Sequence, residues 1–181
     1  MAIPLILKKI FDAGLVTEPA PGPDDNLRMR EQSLHAELLR VFGQAVAVRH
    51  VDAGSCNGCE LEIHALNGPH YNLEGAGIRF VASPRHADLL LVTGPVSRHL
   101  LTAIRRTWAA VPDPKWVVAV GDCGCRGGLF GENYATCGSV SSVLPVDVEI
   151  PGCPPEPARL LQAILTAVSA GPARNDTAKS D

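Results

Sequence analysis

The sequence is poor in aromatic residues, in long apolar runs and in basic charge. Aromatic residues make up 4% of its 181 positions, so the core must be built from Val, Leu, Ile and Ala. No apolar run approaches the roughly 20 residues that a membrane-spanning helix needs. The formal net charge is −3. Because a protein that neutralises phosphates needs a basic surface, this composition argues against nucleic acid as a partner.

Nucleotide-binding motifs and a secretion signal are also missing. No G-x-x-x-x-G-K-[ST] sequence is present and no G-x-G-x-x-G fingerprint follows the first predicted strand, so flavin or nucleotide binding is a weak alternative. Lys8 and Lys9 interrupt the apolar start of the chain, which matches a signal peptide poorly. Without export, stable disulfides are not expected, and the six cysteines indicate a metal or redox role.

The composition, with 46% hydrophobic residues, suits one domain with extensions. Residues 1–44 are predicted to form an N-terminal extension with an amphipathic segment at 3–11, a Pro-rich linker at 18–25 and a helix at 27–41. The amphipathic segment is too short to be stable alone. It is expected to lie against a membrane surface or a partner subunit, the alternative being a frayed terminus.

Residues 45–170 are predicted to form the domain itself, followed by a flexible tail at 171–181. Short apolar runs, typical of strands covered on both faces, alternate there with helical patterns. One helix is expected to be capped by Ser97 and stopped by Pro112, and the last to have Pro155 and Pro157 in its first turn. This alternation predicts an α/β fold with a doubly wound, mostly parallel sheet. The predicted strands are 45–51, 78–82, 89–93, 115–120 and 146–150.

Four cysteines follow three of these predicted strands. Cys56 and Cys59, on one tight turn, come after the first strand, Cys123 lies in the glycine-rich loop 121–128, and Cys153 follows the last strand. Loops at the carboxyl ends of parallel strands leave a crevice where ligands bind. The strand pattern therefore predicts that these four thiols converge at one edge of the sheet.

An iron–sulfur cluster is the favoured occupant of such a site. Four cysteines with no accompanying His pair, two of them distant in sequence, suit a 4Fe–4S cube in a pre-folded domain. Structural zinc and a dithiol redox pair remain as alternatives, although the latter would use only Cys56 and Cys59. Cys125 and Cys137 are predicted to be small core residues. Cys125 lies close enough to Cys123 to compete for the ligand role.

The combined motifs resemble the B subunit of complex I and its hydrogenase relatives. The resemblance covers about residues 45–170 and implies a flavodoxin-like fold with one 4Fe–4S cluster, the last in a chain of clusters. Its ligands would be Cys56, Cys59, Cys123 and Cys153. The motifs that carry the resemblance read Cys56-Asn57-Gly58-Cys59-Glu60-Leu61-Glu62, Ser83-Pro84-Arg85-His86-Ala87-Asp88, Gly121-x-Cys123-x-x-x-Gly127-Gly128 and Pro151-Gly152-Cys153-Pro154-Pro155.

The Cys-x-x-Cys spacing favours one branch of this family. Complex I proper is marked by adjacent cysteines in the first motif, whereas membrane-bound energy-converting nickel–iron hydrogenases, including formate hydrogenlyase, use Cys-x-x-Cys. The chain is thus similar to the small subunit of such a hydrogenase. The resemblance implies a large nickel–iron subunit, a ferredoxin-like iron–sulfur subunit and membrane subunits as partners, and a peripheral location on the cytoplasmic face of the cell membrane. The alternative is a B subunit of the complex I type that passes electrons to quinone, with a large partner of the 49 kDa type.

Several polar residues near the motifs have less specific roles. Glu62 is a candidate for proton transfer, because an acid beside a redox centre can take up protons as electrons move, although a solvated helix carboxylate is slightly favoured. Glu60 is interpreted as a helix-start charge. Arg85 and His86 resemble the family's basic position near the cluster, the alternative being a surface pair with Asp88.

Overall fold

The computed structural model describes residues 45–75 and 77–170, together with the isolated positions 12, 13, 29 and 36. Apart from those positions, the predicted N-terminal segment, linker, first helix and tail lie outside the described residues. Within the described part of the chain, no helix combines the length and the apolar character needed to cross a bilayer.

Five parallel strands form a single sheet in the order β2-β1-β3-β4-β5. This is the flavodoxin-like strand order, and it confirms the predicted α/β class. The strands are β1 (Val46–Asp52), β2 (Ile78–Phe80), β3 (Leu89–Thr93), β4 (Trp116–Val120) and β5 (Val148–Ile150). The β3 boundaries were predicted correctly, and the other predicted strands differ by one or two residues at one end or both.

Helices cover both faces of the sheet. They are α1 (Gly58–Leu66), α2 (Leu101–Ala110), α3 (Gly121–Arg126) and α4 (Pro157–Ala170), with 3₁₀ turns at Pro84–His86 and Val140–Ser142. Apolar residues of α1 and α4 pack against one face, and those of α2 and α3 against the other. Every residue of the central strands β3 and β4 is buried as a result, which explains their uninterrupted apolar sequences.

Four local predictions are wrong. Ser97 does not cap α2, because the helix starts at Leu101 and the backbone of Ser97 is bonded to Ala53 and bridged to Thr136. The last helix begins at Pro157, so Pro155 lies before it.

The third wrong prediction is the loop at 121–128. Its first six residues form α3, and Gly127 ends that helix in the left-handed conformation, as glycine commonly does. Similarly, Cys56 and Cys59 do not share one turn, because Cys59 already belongs to the first turn of α1.

Four of the five strands, β1, β3, β4 and β5, end level with one another at the carboxyl edge of the sheet. Asp52 pairs with Thr93, Thr93 with Val120, and Val120 with Ile150. We call this line of four residues the terminal row. Every loop that leaves the row starts from the same height, so side chains a few residues further on can meet above the sheet.

Candidate metal centre

The four predicted ligands lie just beyond the terminal row. Cys56 is in the loop after β1 and Cys59 in the first turn of α1, whereas Cys123 and Cys153 each follow the row by three residues. Cys56 and Cys153 are exposed, and Cys59 and Cys123 are half-buried. The edge of the sheet therefore presents thiols from three separate segments, as the strand pattern predicts.

Backbone contacts tie these segments together. The amide of Asp122 donates to the carbonyl of Gly152 at 2.8 Å, and the amide of Gly152 donates to the Asp122 carboxylate at 3.0 Å. This reciprocal pair fixes the Cys123 segment against the Cys153 segment. On the other side, a Cβ at Gly58 would lie 4.0 Å from Pro154, which places the Cys59 helix against the same loop.

Two glycines leave room for the thiols. Gly121 has φ +80° and Gly128 has φ +58°, backbone conformations that side chains rarely adopt. A Cβ at position 121 would lie 2.7 Å from Cys59 Sγ, and a Cβ at position 128 would lie 2.6 Å from Cys123 Sγ. Both distances are well below van der Waals contact, so these positions require glycine for space as well as for conformation.

The thiols also influence one another electrostatically. Burial raises the pKa of Cys59 to about 12, with further contributions from Glu60 and from the thiols of Cys123, Cys56 and Cys153. Burial likewise raises the pKa of Cys123, followed by the charges of Cys153 and Cys56. The thiols of Cys59 and Cys123 therefore lie near those of Cys56 and Cys153, as the ligands of one centre would.

The donor set is compatible with an iron–sulfur cluster. In the described part of the chain, no group of three or more His, Cys, Asp or Glu side chains is placed to hold a metal ion. A 4Fe–4S cube bonds each thiolate to a different iron, so its ligands surround an extended object and do not converge on one point. Four thiols with two glycines that leave space beside them suit such an object, and an all-sulfur set is what iron–sulfur clusters use.

A buried carboxylate adjoins this thiol group. Glu60 is only 7% exposed, and Thr93 donates its hydroxyl to Glu60 Oε1. His50 Nε2 lies 2.9 Å from the same hydroxyl and 3.7 Å from the carboxylate. A hydroxyl has one proton, so if Thr93 donates to Glu60 it must accept from His50, which places the imidazole proton on Nε2.

This arrangement was not predicted from the sequence. Glu60 does lie in the first helical turn, as predicted, but its burial depends on two strands that lie far from it in sequence. A signal was present, because His50 and Thr93 are polar residues near the carboxyl ends of two apolar strands. Such interruptions of buried strands commonly mark polar networks.

A cavity of about 290 Å³ opens beside Glu60. Its lining includes Arg49, His50, His64 and Asn67. Among the described residues, Glu60 Oε2 and Arg49 Nε are buried without a hydrogen-bond partner. The carboxylate and the guanidinium therefore border one polar cavity with unused hydrogen-bonding capacity.

The other predicted residues are less closely connected to the thiols. Glu62 is half-buried on α1, and no partner of its side chain is found in the described segments. Arg85 and His86 are exposed on a 3₁₀ turn. The alternative, a surface pair with Asp88, is not found among the described contacts, and Asp88 accepts a hydrogen bond from the Ala47 amide at 2.8 Å.

The two additional cysteines lie under the site. Cys125 is 5% exposed and its thiol donates to the Ala119 carbonyl at 3.6 Å, while Cys137 packs against the same apolar cluster. Burial raises the pKa of Cys125 to about 11. Both positions agree with the predicted role as small core residues.

An exposed apolar loop borders Cys123. This loop, residues 127–138, contains Leu129, Phe130 and Tyr134, whose exposed fractions are 101%, 63% and 95%. Backbone bonds between Val96 and both Cys137 and Gly138 hold its far end to the sheet domain. Large apolar side chains displayed together beside a functional edge commonly mark a protein interface.

Comparison with known proteins assigns the family. The profile described as NADH ubiquinone oxidoreductase, 20 Kd subunit, matches residues 56–167. A probable membrane-bound hydrogenase subunit of Pyrococcus furiosus is 43% identical over 141 residues, covering 78% of this chain and 84% of the relative. Formate hydrogenlyase subunit 7 of Escherichia coli is 45% identical over 136 residues, covering 75% of this chain but about half, 53%, of the relative.

More distant members include quinone oxidoreductases. The B subunit of the NADH-quinone oxidoreductase of Geobacter metallireducens is 43% identical over 107 residues, covering 59% of this chain and 62% of the relative. In a solved structure of the membrane-bound sulfane sulfur reductase, an archaeal respiratory membrane complex, one chain matches with a TM-score of 0.61 and 31% identity over 76% of this chain and 77% of that chain. The chain therefore belongs to the NADH ubiquinone oxidoreductase 20 Kd subunit family, a family of oxidoreductase subunits found in membrane-bound hydrogenase and quinone oxidoreductase complexes.

Proposed function

We propose that this chain is the electron-transfer small subunit of a membrane-associated nickel–iron hydrogenase complex. It would hold one 4Fe–4S cluster beside the active site of a large subunit, with Cys56, Cys59, Cys123 and Cys153 as ligands. The observation that carries the proposal is the position of these four thiols, which lie on three segments that leave the terminal row at the same level. When bound, the cluster supplies one-electron storage and transfer.

The chain's own residues hold and shield that centre. Cys59 and Cys123 come from short helices and Cys56 and Cys153 from loops, so two ligands are held by secondary structure and two by loop segments. The Asp122–Gly152 hydrogen-bond pair keeps two of these segments together. Gly121 and Gly128 keep Cβ atoms away from the sulfurs of Cys59 and Cys123.

A large partner subunit would cover the exposed side of the site. Cys56 and Cys153 are exposed in the chain alone, and an exposed cluster is open to water and oxidants. The exposed apolar loop lies on that side and is the proposed contact. A ferredoxin-like subunit would exchange electrons with the cluster, and membrane subunits would bring the complex to the cytoplasmic face of the membrane.

The second candidate is a B subunit of the complex I type, which passes electrons to quinone. The identity to the corresponding subunit of NADH-quinone oxidoreductase favours it. The Cys-x-x-Cys spacing of Cys56 and Cys59 and the longer matches to hydrogenase subunits favour the first candidate. Nickel in the copurified large subunit would support the hydrogenase, whereas quinone reduction without nickel would support the alternative.

The test is anaerobic purification of the complex with single Cys→Ser variants. Substitution of Cys56, Cys59, Cys123 or Cys153 should abolish or degrade the cluster, measured as iron, labile sulfide and the electron paramagnetic resonance signal of this centre. Cys125→Ser and Cys137→Ser serve as matched controls and should retain it. A colourless, zinc-loaded wild-type chain, or loss of the cluster on Cys125→Ser with retention on Cys123→Ser, would contradict the ligand set.

Glu62 is included in the proposal as a proton-transfer residue. It is half-buried on the helix that carries Cys59. Glu62→Gln should then slow turnover of the complex without changing its iron content. Unchanged turnover would identify Glu62 as an ordinary surface carboxylate.

A further inference from the structure

The exposed apolar loop, residues 127–138, folds back on itself through its own backbone contacts. An antiparallel bridge joins Glu132 to Cys137. Between them the chain turns, and the Asn133 amide donates to the Thr136 carbonyl at 3.0 Å. The loop is therefore a small hairpin whose tip is closed by a hydrogen bond.

The Asn133 side chain holds the tip of this hairpin, residues 133–136. Its Oδ1 accepts from the amides of Ala135 and Thr136 at 2.7 and 3.0 Å. Its Nδ2 donates to the Phe130 carbonyl at 3.1 Å. Asparagine favours turns because its side chain can bond to the backbone two residues further on. These contacts join the backbone of Phe130 to the tip.

Arg98 holds the tip from the neighbouring segment, between β3 and α2. Its backbone amide donates to the Ala135 carbonyl at 2.9 Å. Its guanidinium donates to the Asn133 carbonyl twice, from Nε at 3.1 Å and from Nη2 at 3.0 Å. Glu132 lies 3.7 Å from Nη2, but both of these side chains are exposed, so the ion pair contributes little. The two bonds to one carbonyl are therefore the specific contribution of the Arg98 side chain.

The tip determines where the apolar side chains of the loop stand. Leu129, Phe130 and Tyr134 are at least 63% exposed, so packing against the described residues does little to fix their positions. Tyr134 is part of the tip, and Phe130 is bonded to it through Asn133. A loop that is held in its binding conformation before association loses less conformational entropy on binding. The hydrogen bonds of Arg98 and Asn133 therefore prepare an apolar surface for a partner.

The base of the loop adjoins a proposed cluster ligand. The Gly127 amide donates to the Cys123 carbonyl at 2.8 Å, and a Cβ at Gly128 would lie 2.6 Å from Cys123 Sγ. Cys56 and Cys153 are exposed at the same edge of the sheet. A subunit that covers these thiols therefore also meets the apolar loop, so we expect the large partner of the proposed complex to bind it.

We propose that Arg98 is a positioning residue for assembly, which holds the apolar loop in the conformation that binds the large subunit. The guanidinium acts through the Asn133 carbonyl and does not itself need to contact the partner. The partner surface is a hydrophobic depression that receives Phe130 and its apolar neighbours, because burial of such side chains drives association. This inference rests on the proposed function, since the large subunit is the binding partner.

The test measures binding of the full chain, purified anaerobically, to the large subunit. Arg98→Ala removes both bonds to the Asn133 carbonyl, and we expect the affinity to fall about tenfold because the loop then has to be ordered on binding. Hydrogen exchange of the unbound chain should become faster at the amides of Ala135 and Thr136. Arg105→Ala removes an exposed arginine of α2 and is the matched control, with neither change expected.

Two further variants distinguish a positioning role from an effect of charge. Arg98→Lys keeps the positive charge but loses the planar arrangement of two donors, so we expect weaker binding than in wild type and stronger binding than in Arg98→Ala. Asn133→Ala keeps the carbonyl that accepts from Arg98 and removes the side-chain bonds of the tip, so it should also weaken binding and speed exchange. Wild-type affinity in Arg98→Lys would show that charge alone suffices and would overturn the proposal.

A double-mutant cycle shows whether Arg98 acts through the loop. In a chain that carries Leu129→Ser and Phe130→Ser, Arg98→Ala should weaken binding by less than it does in wild type, because fewer apolar side chains remain to be positioned. Full additivity would place Arg98 in direct contact with the partner and would contradict a positioning role.

The outcomes distinguish the two proposals. A wild-type chain that binds no large subunit overturns the proposed function and the inference with it. Unchanged affinity in Arg98→Ala, or an equal loss in Arg105→Ala, overturns the inference alone. Dimers of the chain that Phe130→Ser dissociates would make a second copy the occupant of the loop, which also overturns the inference. Weaker binding and faster exchange in the Arg98 and Asn133 variants, with the control unchanged, support it.

Discussion

The carboxylates at the two edges of the sheet differ in how fully their hydrogen-bonding capacity is used. At the amino edge, Asp88 accepts a hydrogen bond from the Ala47 amide at 2.8 Å, and Asp147 accepts one from the Val117 amide at 2.7 Å. At the carboxyl edge, the Asp122 carboxylate also accepts from a backbone amide, that of Gly152. Glu60 differs, because it accepts from a side chain and keeps one oxygen without a partner among the described residues.

The amino edge thus uses acids to complete the backbone hydrogen bonding of neighbouring strands. The carboxyl edge leaves hydrogen-bonding capacity and thiols unsatisfied, which costs stability but leaves groups free for chemistry. In this sheet, the candidate functional groups therefore lie at the carboxyl edge, and the amino edge contributes mainly to stability. Substitutions at the amino edge should therefore lower stability, and substitutions at the carboxyl edge should affect the proposed cluster.

The largest difference should come from two glycines with positive φ. Gly121→Ala places a Cβ 2.7 Å from Cys59 Sγ and should abolish cluster assembly, since the thiol has to move. Gly77→Ala, at φ +88° before β2, should cost about 1–2 kcal/mol in backbone strain and leave the iron content unchanged. Iron analysis and thermal unfolding of both variants provide the measurement, and equal iron loss in the two would break the separation of the edges.

The exposed apolar loop should control assembly without affecting the fold. Phe130→Ser with Leu129→Ser should weaken association with the large partner by about 2 kcal/mol or more, roughly thirtyfold, if these side chains are interface anchors. The unfolding temperature of the isolated chain should be unchanged because both side chains are exposed. Copurification yield and binding affinity test this, with Glu74→Ser as the surface control. Undiminished association would assign the docking surface to another part of the chain.

At the amino edge, Asp88→Ala should reduce stability and leave the cluster intact. The substitution removes the acceptor of the Ala47 amide, and an unsatisfied buried amide costs about 1–3 kcal/mol. For a chain of this size, each kcal/mol lowers the unfolding temperature by about 2–4 °C. Calorimetry gives the stability and iron analysis gives the occupancy. Retained stability with lost iron would reverse the roles given to the two edges.

The smallest effect should be a pH dependence that arises from His50. Burial lowers the pKa of this imidazole below its ordinary value of 6.5, so the folded chain binds fewer protons than the unfolded chain. The stability contributed by the neutral ring is therefore present above about pH 6.5 and is lost as the pH falls further. Urea unfolding of the isolated chain at pH 7.5 and 5.5 should show this loss, and His50→Gln should reduce it. Identical pH dependence in wild type and variant would show that other groups cause it.

Much of the sheet could be predicted from sequence because buried parallel strands have a distinctive composition. The run Leu89–Thr93 is apolar throughout, and the structure gives it these same boundaries. The start of α2 at Leu101 could not be predicted, because Ser97, the expected cap, forms a tertiary bridge to Thr136 through its backbone. The short helix α3 was also not predicted, because a glycine-rich sequence more often indicates a loop. Here glycines with positive φ stand at both ends of a helix.

The grouping of cysteines could be predicted because it depends only on which loops follow which strands. The burial of Glu60 could not, because it depends on contacts with residues distant in the chain. His50 and Thr93 lie 10 and 33 positions away and reach Glu60 only once β1 and β3 are paired. Local patterns therefore identify candidate ligands more readily than the buried polar groups near them.

The level ending of the strands restricts how this chain can vary. Each residue of a strand advances the backbone by about 3.3 Å and turns the next side chain to the opposite face. One residue added within β4 or β5 would thus lift a single cysteine away from its companions and reverse the direction in which it points. Changes of length should accordingly be tolerated in segments at the opposite end of the sheet. The spans from Val120 to Cys123 and from Ile150 to Cys153 should not change in length, because they set the positions of two sulfurs relative to the other two.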